Sequence, residues 1–132
     1  MVGDEPRRLA LKRSQMDQPP YAMDESRRNA VLASILDRCA NRRWRLLAAH
    51  VRTNHVHVLV ESEAKPERVM NDLKSFASRR LNELGLDGID RKRWARHGST
   101  RWLFDKKAVQ AARQYVLEKQ GTPMALYNAT EP

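Results

Sequence analysis

The spacing of apolar residues along the chain predicts three helices. In the first, Asp24 is a suitable N-cap, and an apolar stripe continues to about Asn41 through Val31, Leu32, Ile35, Leu36 and Cys39. A second helix is predicted from Pro66, a residue favoured in the first helical turn, to Gly85. A third is predicted from Asp105, another N-cap, to Gly121.

Two short apolar segments between the first two helices predict an antiparallel hairpin. Residues 44–52 and 55–61 are separated by Thr53-Asn54, which suits a two-residue loop. In that register His50 lies opposite His57, and Val51 lies opposite Val56. Because strand residues alternate between faces, one face gathers His50, Arg52, His55 and His57. The other face gathers Leu47, Ala49, Val51, Val56, Val58 and Val60.

The order of elements predicts an α+β domain. Thr100 to Phe104 is a further strand candidate, and the final MALY segment is too short to place. We expect an antiparallel sheet with helices on one face. This arrangement is similar to a ferredoxin-like split βαβ sandwich that lacks its first strand, because Leu9-Ala10-Leu11 is a poor candidate for that strand. We expect an arm at 1–20, one domain at 21–127 and a tail at 128–132.

Composition favours a nucleic-acid partner. The 132 residues carry a formal net charge of +9, with an isoelectric point near 10.3, which biases the surface toward polyanions. Arginines surround tryptophan in two clusters, at 42–45 and 91–97, a combination that suits phosphate contacts and base stacking. The chain has one cysteine, Cys39, which we expect to pack as a small apolar residue, and it has no apolar run of membrane length. We therefore expect a cytoplasmic protein without a membrane span.

Two histidines on one strand face, His55 and His57, are candidate metal ligands. Neutral imidazoles at positions i and i+2 can converge on one ion, and two ligands suit an open site that also accepts water or substrate oxygens. The alternative is a half-exposed strand whose polar face happens to carry histidine.

Four blocks in order resemble one family. They are LLAAHVRTNHVHVLVES, KPERVMNDLKSFASRRLN, KRWARHGSTRWLF and QYVLEKQGTPMALY. Their order and content are similar to the HUH-superfamily single-tyrosine transposases of insertion sequences and their REP-associated relatives, over about residue 20 to the end.

The resemblance implies a site and a reaction. His55 and His57 would hold a divalent metal, Mg²⁺ or Mn²⁺, and Tyr115 would be the nucleophile that forms a 5′-phosphotyrosine. The family places a Gln or Asn four positions after the tyrosine; here that position is Lys119, so Gln120 is the expected third ligand and Glu118 the alternative. Tyr21 and Tyr127 are weaker candidates for the nucleophile.

The same resemblance implies single-stranded or hairpin DNA as the substrate. Phosphate contacts are expected from basic residues along the chain: Arg52, Lys74, Arg79, Arg93, Arg96 and Arg101. A homodimer is expected, because the family often places the tyrosine helix of one protomer against the histidines of its partner. Two other functions stay open: a DNA-binding relative that has lost catalysis, and an RNA-binding protein.

Overall fold

Three helices and a three-stranded sheet make up the part of the chain that the computed structural model describes, residues 20–94, 103 and 105–129. In chain order they are α1 (Glu25–Arg42), β1 (Arg45–Val51), β2 (Val56–Glu61), α2 (Pro66–Glu83), α3 (Lys106–Glu118) and β3 (Ala125–Asn128). The sheet is antiparallel with the order β2-β1-β3. The predicted α+β class is therefore confirmed. The ferredoxin-like arrangement stays a prediction, because Leu9-Ala10-Leu11 lies outside the described residues.

Local capping sets the helix ends close to their predicted positions. The Asp24 side chain accepts a hydrogen bond from the Arg27 N–H, and the Asp105 side chain accepts one from the Ala108 N–H. Each bond satisfies a donor that a helix leaves unpaired in its first turn. Helix α2 begins at Pro66 as predicted and ends at Glu83, two residues before Gly85, whose φ of +68° favours glycine.

The hairpin register is confirmed near the turn and shifts farther along. Val51 pairs with Val56 and His50 with His57, but a bulge lies between Leu46 and Ala48. One extra residue on a strand reverses which side chains face the core. Leu46 therefore joins the core, and the prediction that Leu47 shares the face of Ala49 and Val51 was wrong.

The third strand is the segment that was too short to place from the sequence. Residues 125–128 pair with β1, with Ala125 opposite Val51 and Leu126 opposite His50. Four residues carry too little periodicity to indicate a strand, and the pairing with β1 decides their conformation. The strand predicted at Thr100 to Phe104 lies outside the described residues except for Leu103, which is in neither a helix nor a strand.

Helices cover both faces of the sheet. Helices α1 and α2 pack on the face of Ala49 and Val51, where the core also includes Val31, Ile35, Cys39, Leu73, Ala77 and Leu81. Cys39 packs there as predicted, and its burial raises the pKa of the thiol to about 11. Helix α3 lies on the opposite, histidine-bearing face. The expected packing on one face alone thus holds for α1 and α2 but was wrong for α3.

Strand β2 forms one edge of the described sheet. It pairs only with β1 among the described strands, and a groove of about 420 Å³ runs beside it toward α2. Apolar side chains such as Val56, Val58 and Leu73 line the groove, and His55 and His57 also border it. No helix in the described ranges is long and apolar enough to cross a membrane.

Candidate active site on the histidine face

Two imidazole rings lie side by side at the start of β2. His57 is half-buried within the strand, and His55, which immediately precedes the strand, is exposed. Their ring centroids are 6.1 Å apart and their planes differ by 7°, so the rings are nearly parallel. The predicted juxtaposition of His55 and His57 follows from the period of two along the strand.

The hydrogen bonding of His55 leaves one nitrogen available to a ligand. Its Nδ1 lies 2.6 Å from the Asn54 side-chain oxygen, which can only accept a hydrogen bond. The His55 Nδ1 therefore carries the proton, and the Nε2 lone pair is directed elsewhere. Side-chain oxygens that hold a histidine in this way are common around metal-binding imidazoles.

The environment of His57 favours its neutral imidazole. Burial lowers the pKa of His57, and the nearby His55, His50 and Arg52 lower it further, because each carries or can carry positive charge. A neutral imidazole keeps the lone pair that a metal ion or a proton donor requires.

Tyr115 lies beside this histidine pair in the same chain. Its ring centroid is 6.0 Å from that of His57, with an interplanar angle of 82°, so the two rings meet edge to face. The side chain nevertheless remains 53% exposed. Helix α3 thus places the Tyr115 phenol at the histidine face without burying it.

The two other tyrosines lie away from this face. The Tyr21 hydroxyl donates to Asp87, and its ring packs edge to face on Trp94. Tyr127 lies opposite Ala49 in β3 and packs against the core. Of the three tyrosines, Tyr115 is the one in contact with a candidate histidine.

Gln120 follows the end of α3. Its amide nitrogen donates to the Tyr115 carbonyl at 3.3 Å, so this side chain helps to cap the helix, and its amide oxygen stays available as an acceptor. Glu118, the alternative third ligand, accepts a hydrogen bond from Gln114. Within the described ranges, no group of three or more His, Cys, Asp or Glu residues could hold a metal ion.

Two arginines expected at DNA also hold parts of this chain together. Arg52 donates from Nη1 to the Thr122 carbonyl and lies against Gly121, whose φ of +82° favours glycine. The Arg93 side chain is only 2% exposed, and it pairs with Asp87 and donates to Asn82. Arg93 therefore serves the fold, since a charge this deeply buried needs a partner within the protein.

The other expected DNA contacts lie on α2 or outside the described residues. Lys74 is half-buried beside the groove that His55 and His57 border, and burial lowers its pKa. Arg79 is exposed, with its guanidinium over the Phe76 ring. Arg96 and Arg101 lie outside the described residues.

Sequence patterns did not reveal which side chains attach α3 to the sheet. His50, near the end of β1, contacts the Val116 carbonyl in α3, and Arg113 of α3 donates to Asn128 in β3. The predicted pairing of His50 with His57 correctly placed His50 on the histidine-bearing face. Periodicity, however, carries no information on a partner 66 residues away.

The fold and the site define a class of protein: a small α+β domain that presents two adjacent imidazoles and a tyrosine on one face of its sheet. A family model described as "Transposase IS200 like" matches residues 21–119. The chain therefore belongs to the IS200-like transposase family, which confirms the resemblance found in its sequence. A search of curated proteins and a search of solved structures each found no match.

Proposed function

We propose that the protein cleaves and rejoins single-stranded or hairpin DNA by metal-dependent tyrosine transesterification. The observation that carries this proposal is the contact between Tyr115 and His57 in one chain, with His55 stacked alongside. Family membership supports the transposase role, and the contact supports this particular mechanism.

The proposed reaction exchanges one phosphoester bond for another. The Tyr115 oxygen attacks the phosphorus, a Tyr–O–P bond forms, and the bond from phosphorus to the 3′ oxygen breaks. The proton lost by the phenol ends on the departing 3′ oxygen as a hydroxyl. Because the bond energy is retained in the phosphotyrosine, a 3′-hydroxyl can reverse the step without a nucleotide cofactor.

The side chains present fit a divalent cation, Mg²⁺ or Mn²⁺. His55 and His57 would hold it through imidazole nitrogens, and the amide oxygen of Gln120 is the proposed third protein ligand. Oxygen atoms of DNA and water suit the remaining positions of either ion. When bound, the ion supplies Lewis-acid polarisation of the phosphate.

Basic charge supports DNA as the partner. The net charge of +9 attracts the phosphate backbone, and helix α2 carries the exposed Arg79 and the groove-lining Lys74. A homodimer is proposed from the family resemblance, and the part that Arg96 and Arg101 take in binding rests on the sequence alone.

A covalent-adduct assay tests the proposed function. Wild-type protein incubated with end-labelled hairpin DNA and Mn²⁺ should give a denaturant-resistant adduct, and peptide mass mapping should locate it on Tyr115. Tyr115→Phe removes only the hydroxyl and should abolish the adduct, whereas Tyr127→Phe is the matched control that should retain it.

Three outcomes would contradict the proposal in different ways. An adduct on another tyrosine would show that the nucleophile was wrongly chosen. Cleavage without any adduct would indicate a hydrolase. Salt-sensitive binding without cleavage would favour the alternative of a DNA-binding relative that has lost catalysis.

A further inference from the structure

His50 is a buried histidine near the end of the central strand β1, and it lies between the sheet and α3. Its relative exposure is 0%, and both ring nitrogens have backbone partners. Nδ1 lies 3.2 Å from the Val116 carbonyl oxygen, and Nε2 lies 3.0 Å from the Met124 nitrogen. One side chain therefore bridges α3, β1 and the segment that leads into β3.

The two partners determine where the His50 proton resides. A carbonyl oxygen can only accept, so Nδ1 must carry the hydrogen that is donated to Val116. The Met124 N–H can only donate, so Nε2 must offer its lone pair. Both bonds require the neutral imidazole with its proton on Nδ1. Burial lowers the pKa of His50, which also favours the neutral form.

The end of α3 has few capping groups of its own. A helix leaves its last four carbonyl groups without intrahelical partners. Here the last turn has no basic residue, and the C-cap Lys119 has a φ of −106°, outside the left-handed region of the common caps. The Tyr115 carbonyl accepts from Lys119 and Gln120, whereas the Val116 carbonyl accepts from His50.

We propose that His50 is a positioning residue for Tyr115, acting through the Val116 carbonyl to fix the last turn of α3 against the histidine face. Val116 follows Tyr115 directly, so a shift of its carbonyl moves the Tyr115 side chain relative to His57. The inference rests on the proposed function for its catalytic consequence. Its structural part, the distance between the Tyr115 and His57 rings, is measurable without any reaction.

Two variants, each of which mimics one ring nitrogen of His50, separate the two hydrogen bonds. The amide of His50→Asn reaches the position of Nδ1 and can still donate to Val116. The amide of His50→Gln reaches the position of Nε2 and can still accept from Met124. Positioning through Val116 predicts that His50→Asn keeps cleavage within a few-fold of wild type, and that His50→Gln loses about 10- to 100-fold.

Binding and stability controls distinguish this effect from general damage. Both variants should bind hairpin DNA with wild-type salt dependence, because neither change removes a basic side chain expected to contact phosphate. Leu81→Val, which alters a fully buried residue of α2 away from the site, provides a destabilised control that should cleave normally. Equal losses in His50→Asn and His50→Gln, or the same loss in Leu81→Val, would overturn the proposal.

Nuclear magnetic resonance gives a readout independent of activity. Two-bond ¹H–¹⁵N correlation spectra should show the proton of His50 on Nδ1. Cross-relaxation between the Tyr115 and His57 rings should persist in His50→Asn and weaken in His50→Gln. A proton on Nε2, or ring contacts unchanged in both variants, would contradict the positioning role. If the wild type is inactive but the resonance results are as expected, the proposed function is refuted and the structural role of His50 stands.

Discussion

At the residue scale, the two histidines of the candidate site have different surroundings. The exposed His55 is oriented by Asn54, whereas the half-buried His57 contacts Tyr115. Asn54 holds the proton of His55 on Nδ1 and leaves the Nε2 lone pair available, as the outer partners of metal-binding histidines do. The order Asn54, His55, Val56, His57 thus combines an orienting group with two candidate ligands.

Removing the orienting group should weaken metal binding without abolishing it. We expect Asn54→Ala to lower Mn²⁺ affinity by about 10-fold, because the His55 ring loses its fixed orientation. Titration of Mn²⁺ followed by electron paramagnetic resonance gives the affinity directly.

Removing a proposed ligand should have a larger effect than removing its orienting partner. His57→Ala should abolish Mn²⁺-stimulated cleavage while leaving most of the salt-sensitive DNA binding. Full cleavage by the wild type in excess chelator would refute metal dependence. Glu61→Ala, an exposed change at the far end of β2, serves as the control.

At the element scale, Asp87 joins the start of α1 to the segment after α2. It accepts from Tyr21, Arg27 and Arg93. Burial alone would raise the pKa of Asp87, but these three hydrogen bonds outweigh it, and the pKa falls below its usual value. The cluster fixes Tyr21 and Trp94 in the groove wall, where they pack edge to face.

Loss of the Asp87 charge should destabilise the fold strongly. Asp87→Asn leaves the buried Arg93 without its ionic partner, and breaking such a pair costs about 3–5 kcal/mol in the free energy of unfolding. Urea denaturation measures the change. The exposed Asp90→Asn is the matched control and should stay within about 0.5 kcal/mol of wild type.

The same carboxylate predicts how stability depends on pH. Because the folded-state pKa of Asp87 lies below its unfolded value of about 3.9, its contribution is fully present above that pH. The contribution disappears as the pH falls through the lower, folded-state pKa. Asp87→Asn should therefore lose less stability than wild type as the pH falls from 5 to 3, because the variant has no carboxylate to protonate at this position. Parallel acid profiles for the two proteins would contradict this assignment.

At the scale of the whole molecule, the tyrosine and histidines come together within one chain. Among the described residues, the contacts that support this arrangement include His50 with Val116, Arg52 with Thr122, and Arg113 with Asn128. The family resemblance raised the expectation that Tyr115 reaches the histidines of a partner. In the structure, the Tyr115 ring contacts the His57 ring of the same chain.

A mixing experiment distinguishes the two arrangements. Tyr115→Phe and His57→Ala proteins, mixed at equal concentration, should cleave no more than the two variants do separately, because neither chain then contains both groups. Recovery of activity in the mixture would show that Tyr115 acts on a partner's histidines. Sedimentation of the mixture shows whether the two variants associate, and a dimer without recovery would fit the arrangement within one chain.

Local sequence patterns determined the helices, the hairpin turn and the face shared by His55 and His57. These features depend on caps and on periods of 3.6 and 2, which act between neighbours along the chain. The four ordered blocks also identified the family and Tyr115 as the candidate nucleophile.

Only the tertiary structure decided which distant groups meet. The bulge near Leu47, the pairing of residues 125–128 with β1, and the side of the sheet that α3 covers all depend on packing between separated segments. His50 shows this most clearly, because its sequence neighbours predict a strand face but not the Val116 carbonyl. Arg93 likewise reads as a surface cation in sequence, and its burial depends on Asp87 and on the end of α2.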